Sequence, residues 1–395
     1  MRMPDVGNLV VRAEERRRMR VSPGEGRRFA DGEAVDLVAT AMDTHEQESA
    51  RAVAQGGFLE GEFFFGKEQE YLISLGDKII AKAYSLAGDL FARAPYKGDF
   101  HIHSNRSDGM EPPARVAVSA RDVGMDFLAI TDHRQYQPSL EAIKAFAGYG
   151  NGDGMLLLPG EEIHPPGNPV HMINFGGRFS VNALFDDMYA DDAYEKDIEK
   201  LVAANGLAGD DAFHHAGCTW CFDKIAEAGG ISILCHPHWI TSNRYNINAG
   251  LLDRLFSDRR FAAFELLGGH ACESNTLQVA YWQQKRAEGV RTPVVGVSDA
   301  HQTRRGGEYF GWTYTIVFSR TLTLDGLRES VQRGYSVAVE SLPGEHARVH
   351  GDYRLVKYAL FLLREYFPEH DRLCAVDSLD MKHHLATRKE KTCAC

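Results

Sequence analysis

The sequence predicts an α/β protein whose central part, residues 99–339, alternates strands and helices at the pace of a βα barrel. Two observations carry this prediction. Short apolar runs such as 127–130 and 293–297 have the unbroken hydrophobicity of parallel strands buried on both faces. Residues that ligate metals recur at, or just beyond, the ends of these runs, where α/β sheets place their sites. A chain of 395 residues, 44% hydrophobic and 25% charged, is long enough for one large domain plus additions.

Taken in order, residues 1–94 form an extension without a catalytic motif. The five arginines between positions 12 and 20 read as a solvated helix face rather than a phosphate- or partner-binding patch. Gly56-Gly57 marks a turn before a short aromatic strand or loop. Asp77 reads as the N-cap of a helix reaching about residue 91, with Ile79, Ile80, Ala83, Tyr84, Ala87 and Leu90 as its buried stripe. The extension is therefore expected to be helical or mixed.

The segment 95–345 carries the chemistry. Residues 100–103 predict a strand with His101 and His103 on one face. Asp108 follows in a polar loop closed by Gly109. Pro112-Pro113 opens a helix that Gly124 stops, and strand 127–130 ends in Thr131-Asp132-His133. Strand 155–158 leads to Glu161, Glu162 and His164, and strand 170–175 contains His171. Residues 179–217 are long and acidic, an insertion with a helix near 194–204 and a candidate lid. Helix 219–228 precedes strand 231–235, which delivers His236 and His238. Strand 263–267, helix 274–288 and strand 293–297 follow, the last ending in Asp299 and His301. Strand 313–318, helix 323–333 and strand 336–339 complete the alternation. The remainder, 346–395, predicts a helix over 353–367 and a polar tail, mobile from about residue 370.

Any one of these histidines alone would be unremarkable. Together, His101, His103, Asp108, His133, Glu162, His171, His236, Asp299 and His301 are hard to explain by packing. Burying them without cations leaves unpaired polar groups, each costing about 1–3 kcal/mol. Imidazole with carboxylate suits Zn, Mn and Fe. The set exceeds the roughly four to six positions of one ion, so two or three divalent ions are expected.

The ordered motifs HxH, SDG, TDH, GxE, H, HP and DxH resemble the polymerase and histidinol phosphatase (PHP) family of metal-dependent phosphoesterases, over residues 99–339. The resemblance implies a distorted (β/α)7 barrel, TIM-like, with a two- or three-metal cluster at the C-terminal ends of its strands. It implies that His101 and His103 with Asp299 hold one ion and that Glu162 bridges to a second, completed by His171 and His236. Asp108, His133 and His301 then serve the third position or the bridging shell. Glu161 directly precedes Glu162, so strand register could exchange them, with the GxE spacing favouring Glu162. The implied activity is hydrolysis of small phosphomonoesters or phosphodiesters by a solvent hydroxide shared between cations. Hydrolysis of an amide or lactone, or a non-enzymatic metal-stabilised scaffold, are the alternatives. Asp132 is expected to orient neighbouring imidazoles. Arg134, His164 and His238 are the candidate substrate-binding residues, and His270 a further loop histidine near the same end.

A net charge of −11 argues against a long nucleic-acid track. A small phosphorylated substrate is the expected partner, and a second copy of the chain a candidate one. No run of about 18 apolar residues predicts a membrane span, and the first residues lack the apolar core of a secretory signal. Seven cysteines read as reduced thiols, and the expected location is cytoplasmic.

Overall fold

The computed structural model describes residues 9–22, 28–149, 154–189, 193–206, 208–209, 211–269, 272–304 and 309–393. They divide into two units, one of residues 95–352 with 371 onward, the other of residues up to 94 with 353–370.

The smaller unit is a sheet. Strands β1 (Val10–Arg12), β2 (Glu15–Val21), β3 (Ala34–Ala41), β4 (Gln47–Gln55), β5 (Phe58–Phe65), β6 (Gln69–Leu75) and β7 (Lys78–Leu86) run in the order β1-β7-β6-β3-β4-β5-β2. Pairing is antiparallel except between β1 and β7. Alternate residues of β4 and β5 are buried, among them Ala50, Ala52 and Ala54, then Leu59, Phe63 and Phe65. That is the period of a half-buried strand. The expected helix from Asp77 is instead β7, followed by the single turn α1 (Gly88–Phe91). Leu75 pairs with Lys78, so Gly76-Asp77 is a two-residue hairpin turn, with Gly76 at φ 58°. Arg12 ends β1 and the other four arginines of the run lie on β2, where Arg16 pairs with Glu48 at 2.9 Å and Arg20 with Glu60 at 3.6 Å on an exposed face. It is a solvated strand, not a solvated helix.

The larger unit is mixed α/β. Its elements are β8 (Ala94–Asp99), α2 (Pro113–Asp122), β9 (Phe127–Leu128), α3 (Gln137–Ala145), β10 (Leu156–Leu157), β11 (Gly160–Ile163), β12 (Met172–Phe175), α4 (Asn182–Tyr189), α5 (Ala193–Ala204), α6 (Ala212–Ala228) and β13 (Ile231–Leu234). The hairpin β14 (Ile240–Thr241) and β15 (Arg244–Tyr245) precedes α7 (Ala249–Asp258), β16 (Ala263–Leu267), α8 (Cys272–Ala287) and β17 (Val294–Gly296). Then come β18 (Thr313–Ser319), α9 (Leu324–Gln332), β19 (Ser336–Glu340) and β20 (Arg348–His350). Helices α3, α4 and α7, strands β11 and β20 and the hairpin were not read from the sequence.

Strand β8 pairs with β9, β13 with β16, and β16 with β17, all parallel. Strand β12 is antiparallel to both β11 and β13. Single parallel bridges, His133 to Glu162 and Ile102 to Ala300, join the extension of β9 to β11 and that of β8 to the segment after β17. The result is a nearly closed, barrel-like ring of β8, β9, β11, β12, β13, β16 and β17. One apolar cluster collects Phe100, Phe127, Ile173, Phe175, Ile231, Ile233, Ala263 and Val295 from six of these segments. Phe100 packs on Phe127 at 5.0 Å and on Phe175 at 4.6 Å, so aromatic rings plug the ring beneath the histidines that follow Phe100.

The acidic insertion is mostly helical. Its Phe185, Tyr194 and Ile198 join the core around Trp220 and Cys221, so α4 and α5 are packed elements rather than loose chain. The anticipated helix near 194–204 is α5. Asp191 and Asp192 of this segment lie outside the described residues.

Helix α10 (Tyr353–Glu365) belongs with the sheet, its Tyr358 ring 5.1 Å from that of Tyr84 and its Arg354 2.7 Å from Glu68. The tail expected to be mobile is helix α11 (Phe367–Cys393). Its acidic residues explain its polarity. Asp371 pairs with buried Lys97 at 2.9 Å, and Asp377 with buried Arg121 at 2.7 Å. Among the described residues, no helix is long and apolar enough to cross a membrane.

Candidate metal centre

Strand register decides which side chains enter the ring. Glu162 lies opposite Ile173, whose side chain is part of the internal apolar cluster, whereas Glu161 lies opposite Asn174. Paired residues share a face, so Glu162 points inward and Glu161 outward. Glu161 instead accepts from Ser180 Oγ at 2.6 Å, Val181 N at 2.6 Å, Asn182 Nδ2 at 2.9 Å and Asn174 Nδ2 at 3.0 Å. It anchors the start of the insertion.

Glu162, fully buried, sits among imidazoles. Its Oε1 is 3.0 Å from His171 Nδ1 and 3.3 Å from His236 Nε2. Its Oε2 is 2.5 Å from His133 Nδ1, 3.2 Å from His164 Nε2, 3.6 Å from His101 Nε2 and 3.8 Å from His103 Nε2. Alongside, His101 Nε2 and His103 Nε2 are 3.1 Å apart and lie 3.1 and 2.8 Å from Asp299 Oδ1. At the outer side, Asp108 reaches His133 Nε2 at 3.2 Å and His301 Nε2 at 3.4 Å. Rings stack through the group, His103 on His301 at 4.3 Å and His164 on His171 at 3.8 Å. All nine residues expected as ligands thus meet at one end of the ring, and His164 joins them.

Local backbone explains the convergence. Gly109 permits the tight turn after Asp108, since a Cβ there would lie 2.8 Å from the Ser104 carbonyl. Arg134, His236 and Asp299 adopt left-handed conformations, at φ 56°, 22° and 46°. Such strain costs roughly 1–3 kcal/mol per residue and concentrates at functional sites.

Charge follows the same geometry. Burial works against a charged His101, but Asp299 and Glu162 outweigh it and hold its pKa well above the ordinary value. Burial would raise the Glu162 pKa, yet charge on His101 and the close imidazoles of His101, His133 and His164 hold it well below the usual carboxylate range. Burial, assisted by His171 and His133, brings His164 down to about 4. Burial likewise lowers His103.

Metal fits this donor set. Glu162 Oε2 and His171 Nδ1 are buried without a hydrogen-bond partner among the described residues, although imidazole and carboxylate atoms crowd them. Donors that converge without hydrogen-bond geometry suit a divalent cation placed among them. Groups with the mutual spacing of a metal site include His101, His103 and Asp299; His103, Asp108, His133 and His301; and His133, Glu162 and His164.

Other expectations fare differently. Among the described residues, Asp132 makes no hydrogen bond or ion pair with an imidazole; it accepts from Ser104 N at 2.7 Å, Ser104 Oγ at 2.5 Å and Ser107 Oγ at 2.5 Å, fixing the loop that carries Asp108. The carboxylate that orients a ring is Glu265, fully buried and 3.0 Å from His101 Nδ1. A glutamate inside an otherwise apolar strand was the available signal. Arg134 is exposed at the rim, its N–H donating to Glu162 O at 3.0 Å. His238 packs against Tyr245 and Tyr281, at 5.4 and 6.1 Å, rather than joining the imidazole group. Trp239, not singled out in the sequence, lies 6.1 Å from the His171 ring and 5.8 Å from that of His236. His270 lies outside the described residues.

No protein-family model matches the chain, and no curated protein matches it. Among solved structures, it is similar to a two-domain protein of Bacteroides vulgatus containing a predicted PHP-like metal-dependent phosphoesterase, at 20% identity and a TM-score of 0.43 over 62% of this chain. The match spans 65% of that protein, just under two thirds of its length. It is also similar to a candidate metal-dependent phosphoesterase of Bifidobacterium adolescentis, at 22% identity and a TM-score of 0.37, over 53% of this chain and 89% of that one. An amidohydrolase of Chromobacterium violaceum with bound sulfate and no metal matches at 20% identity and a TM-score of 0.35, over the same 53% and 89%.

Proposed function

We propose that this chain is a metal-dependent hydrolase of small phosphomonoesters or phosphodiesters, built on a distorted (β/α)7 barrel. The observation that carries the proposal is the buried Glu162 carboxylate, ringed by imidazoles that approach both of its oxygens. His101, His103 and Asp299 would hold one divalent ion, and His171 and His236 a second, with Glu162 between them. Asp108, His133 and His301 would serve a third. Ions of the Zn, Mn or Fe type supply Lewis acidity toward phosphate oxygens and the means to activate water.

The chain's own residues do the positioning. Glu265 accepts the His101 Nδ1 proton, which leaves the Nε2 lone pair facing the cluster. His301 donates from Nδ1 to the Asp299 carbonyl at 3.0 Å and so presents Nε2 to Asp108. His164, with its pKa near 4, is a neutral imidazole at physiological pH. Arg134 offers a guanidinium at the rim to a phosphate's outer oxygens. Trp239, 37% exposed beside His171 and His236, supplies an apolar wall for the non-phosphate part of a compact substrate.

The test is phosphate release from a panel of nucleotides, sugar phosphates and aryl phosphates, with protein loaded separately with each metal. Turnover of one class by at least one metal form is expected. Hydrolysis of aryl esters or amides with no phosphate release from any substrate would overturn the phosphoester reading and favour attack at carbonyl carbon.

A further inference from the structure

We propose that the opposite end of the same strands holds a second ligand site, specific for a small anion bearing at least two phosphate groups. Residues flanking the starts of β13, β16 and β17 (Gly230, Ala262 and Pro293) line a cavity of about 870 Å³. The metal-type residues His236 and Asp299 follow the other ends of β13 and β17, so the two sites are separated by the strand lengths, roughly 15–20 Å. The volume is that of a small-molecule site.

The lining is basic in an acidic chain. Arg178, Arg259, Arg260, Arg291 and Arg328 face Asp258 and Asp325, while the whole protein carries a net charge of −11. Three of the arginines have partial structural employment. Arg178 donates to Glu227 O at 2.8 Å, Arg328 to Gly229 O and to Asp325 Oδ1, and Arg260 pairs with Asp223 at 3.1 Å. Cations at a helix C-terminus offset its partial negative charge, which accounts for Arg178 and Arg328 at the end of α6.

That explanation stops short of the remaining two. Neither Arg259 nor Arg291 has a side-chain hydrogen bond or ion pair among the described residues, and both are exposed in the cavity lining. Arg259 also occupies a left-handed position, φ 51° and ψ 44°, at the C-terminal cap of α7. Glycine takes that conformation more cheaply, so the arginine there carries a backbone cost. Gly229 contributes in the opposite sense. A Cβ on it would come within 3.2 Å of Arg178 Nη1 and 3.6 Å of Arg328 Nη1, so its bareness lets two guanidiniums approach each other. Guanidiniums lining one cavity of this size, two of them without a partner among the described residues, favour a ligand with several phosphate oxygens, which they can engage bidentately.

The experiment uses inorganic pyrophosphate as probe and the intact, metal-loaded protein, read by titration calorimetry. Three proteins are compared: the parent, Arg259→Ala/Arg291→Ala, and Glu162→Gln, which reports any binding at the metal end. In the parent, pyrophosphate binding is expected to include a component that Glu162→Gln retains, that the double arginine variant weakens at least tenfold, and that rising salt weakens further. The two arginine side chains hold nothing in place, so that variant should melt with the parent. Arg291→Gln alone gives a second reading, with an intermediate loss expected. A double variant that binds as the parent does overturns the proposal. So does a parent whose pyrophosphate binding vanishes entirely in Glu162→Gln. Neither outcome depends on whether the metal end hydrolyses phosphoesters.

Discussion

The two ends of β13, β16 and β17 carry opposite chemistry. Beyond their C-terminal ends, imidazoles and carboxylates are mostly buried or half-buried, touch one another, and shift each other's proton affinity. Around their N-terminal ends, guanidiniums are mostly exposed and spaced around an open cavity. The difference is one of desolvation. Buried donors of mixed charge have to be matched by hydrogen bonds or cations, because an unmatched group costs about 1–3 kcal/mol. Exposed arginines cost little and can wait for a ligand. Substitutions at the first end should therefore be severe and those at the second mild, except toward the anion that the second end binds.

The largest expected effect is loss of turnover from Glu162→Gln or His103→Ala. Each removes a donor from the middle of the group, and losses of at least about 100-fold are expected with the fold retained. Arg259→Ala, at the other end, should leave turnover of a generic aryl phosphate near the parent value. Equal damage from both ends, measured in one assay, would erase the distinction. Chelation comes next. Removing ions that bind only the folded chain should lower its melting temperature, since bound ligand at 100 times its Kd contributes about 2.7 kcal/mol. A melting curve unchanged after elemental analysis has confirmed metal removal would sink that coupling.

Glu265→Gln should cost roughly 10–100-fold in metal affinity, because an amide holds the His101 tautomer less firmly than a carboxylate does. The wild-type protein should also release protons when it takes up metal. Burial opposes a proton on His101, yet Asp299 and Glu162 hold it above the ordinary range, so an ion must displace that proton to use Nε2. Raising the pH removes the competitor, and affinity should climb by up to about tenfold per unit for each proton released. Titration in buffers of different ionisation enthalpy measures the release. Uptake with no proton exchanged at neutral pH would mean that His101 is already neutral.

Much of the metal end was legible because its residues announce themselves by type and spacing. HxH, SDG, TDH and DxH are local, and the alternation of short strands with helices places them at strand ends. Glu265 was harder to see, since its partner His101 is far away in sequence. The choice between Glu161 and Glu162 rested on spacing until the register against β12 was available. The small sheet was misread at β7, where Ile79, Ile80, Ala83 and Tyr84 satisfy a helical stripe. Gly76-Asp77 looked like a helix start but is equally a two-residue hairpin turn, and pairing with β6 decided the matter. The tail was misread for a different reason. Its Asp371 and Asp377 look solvent-directed until Lys97 and Arg121, buried in the larger unit, are seen to need them.

The smallest predicted effect separates two adjacent carboxylates on one strand. Glu161 and Glu162 are both fully buried, yet only Glu162 faces the imidazoles. The Glu161 carboxylate accepts from donors on Ser180, Val181, Asn182 and Asn174, so it holds the start of the insertion against β11. Glutamine keeps the volume but turns one oxygen into an NH2 group, which would face a hydroxyl and N–H groups that also donate. That mismatch should cost about 1–3 kcal/mol of stability. A shift in melting temperature of a few degrees is expected. Because Glu161 reaches no metal-type residue, metal content and turnover per folded molecule should stay within about threefold of the parent. Glu162→Gln should instead empty the site, with the fold retained and the melting temperature lowered toward that of the chelated parent. The contrast fails if Glu161→Gln loses metal as fully as Glu162→Gln does, since the register against β12 would then not be what sorts the two side chains.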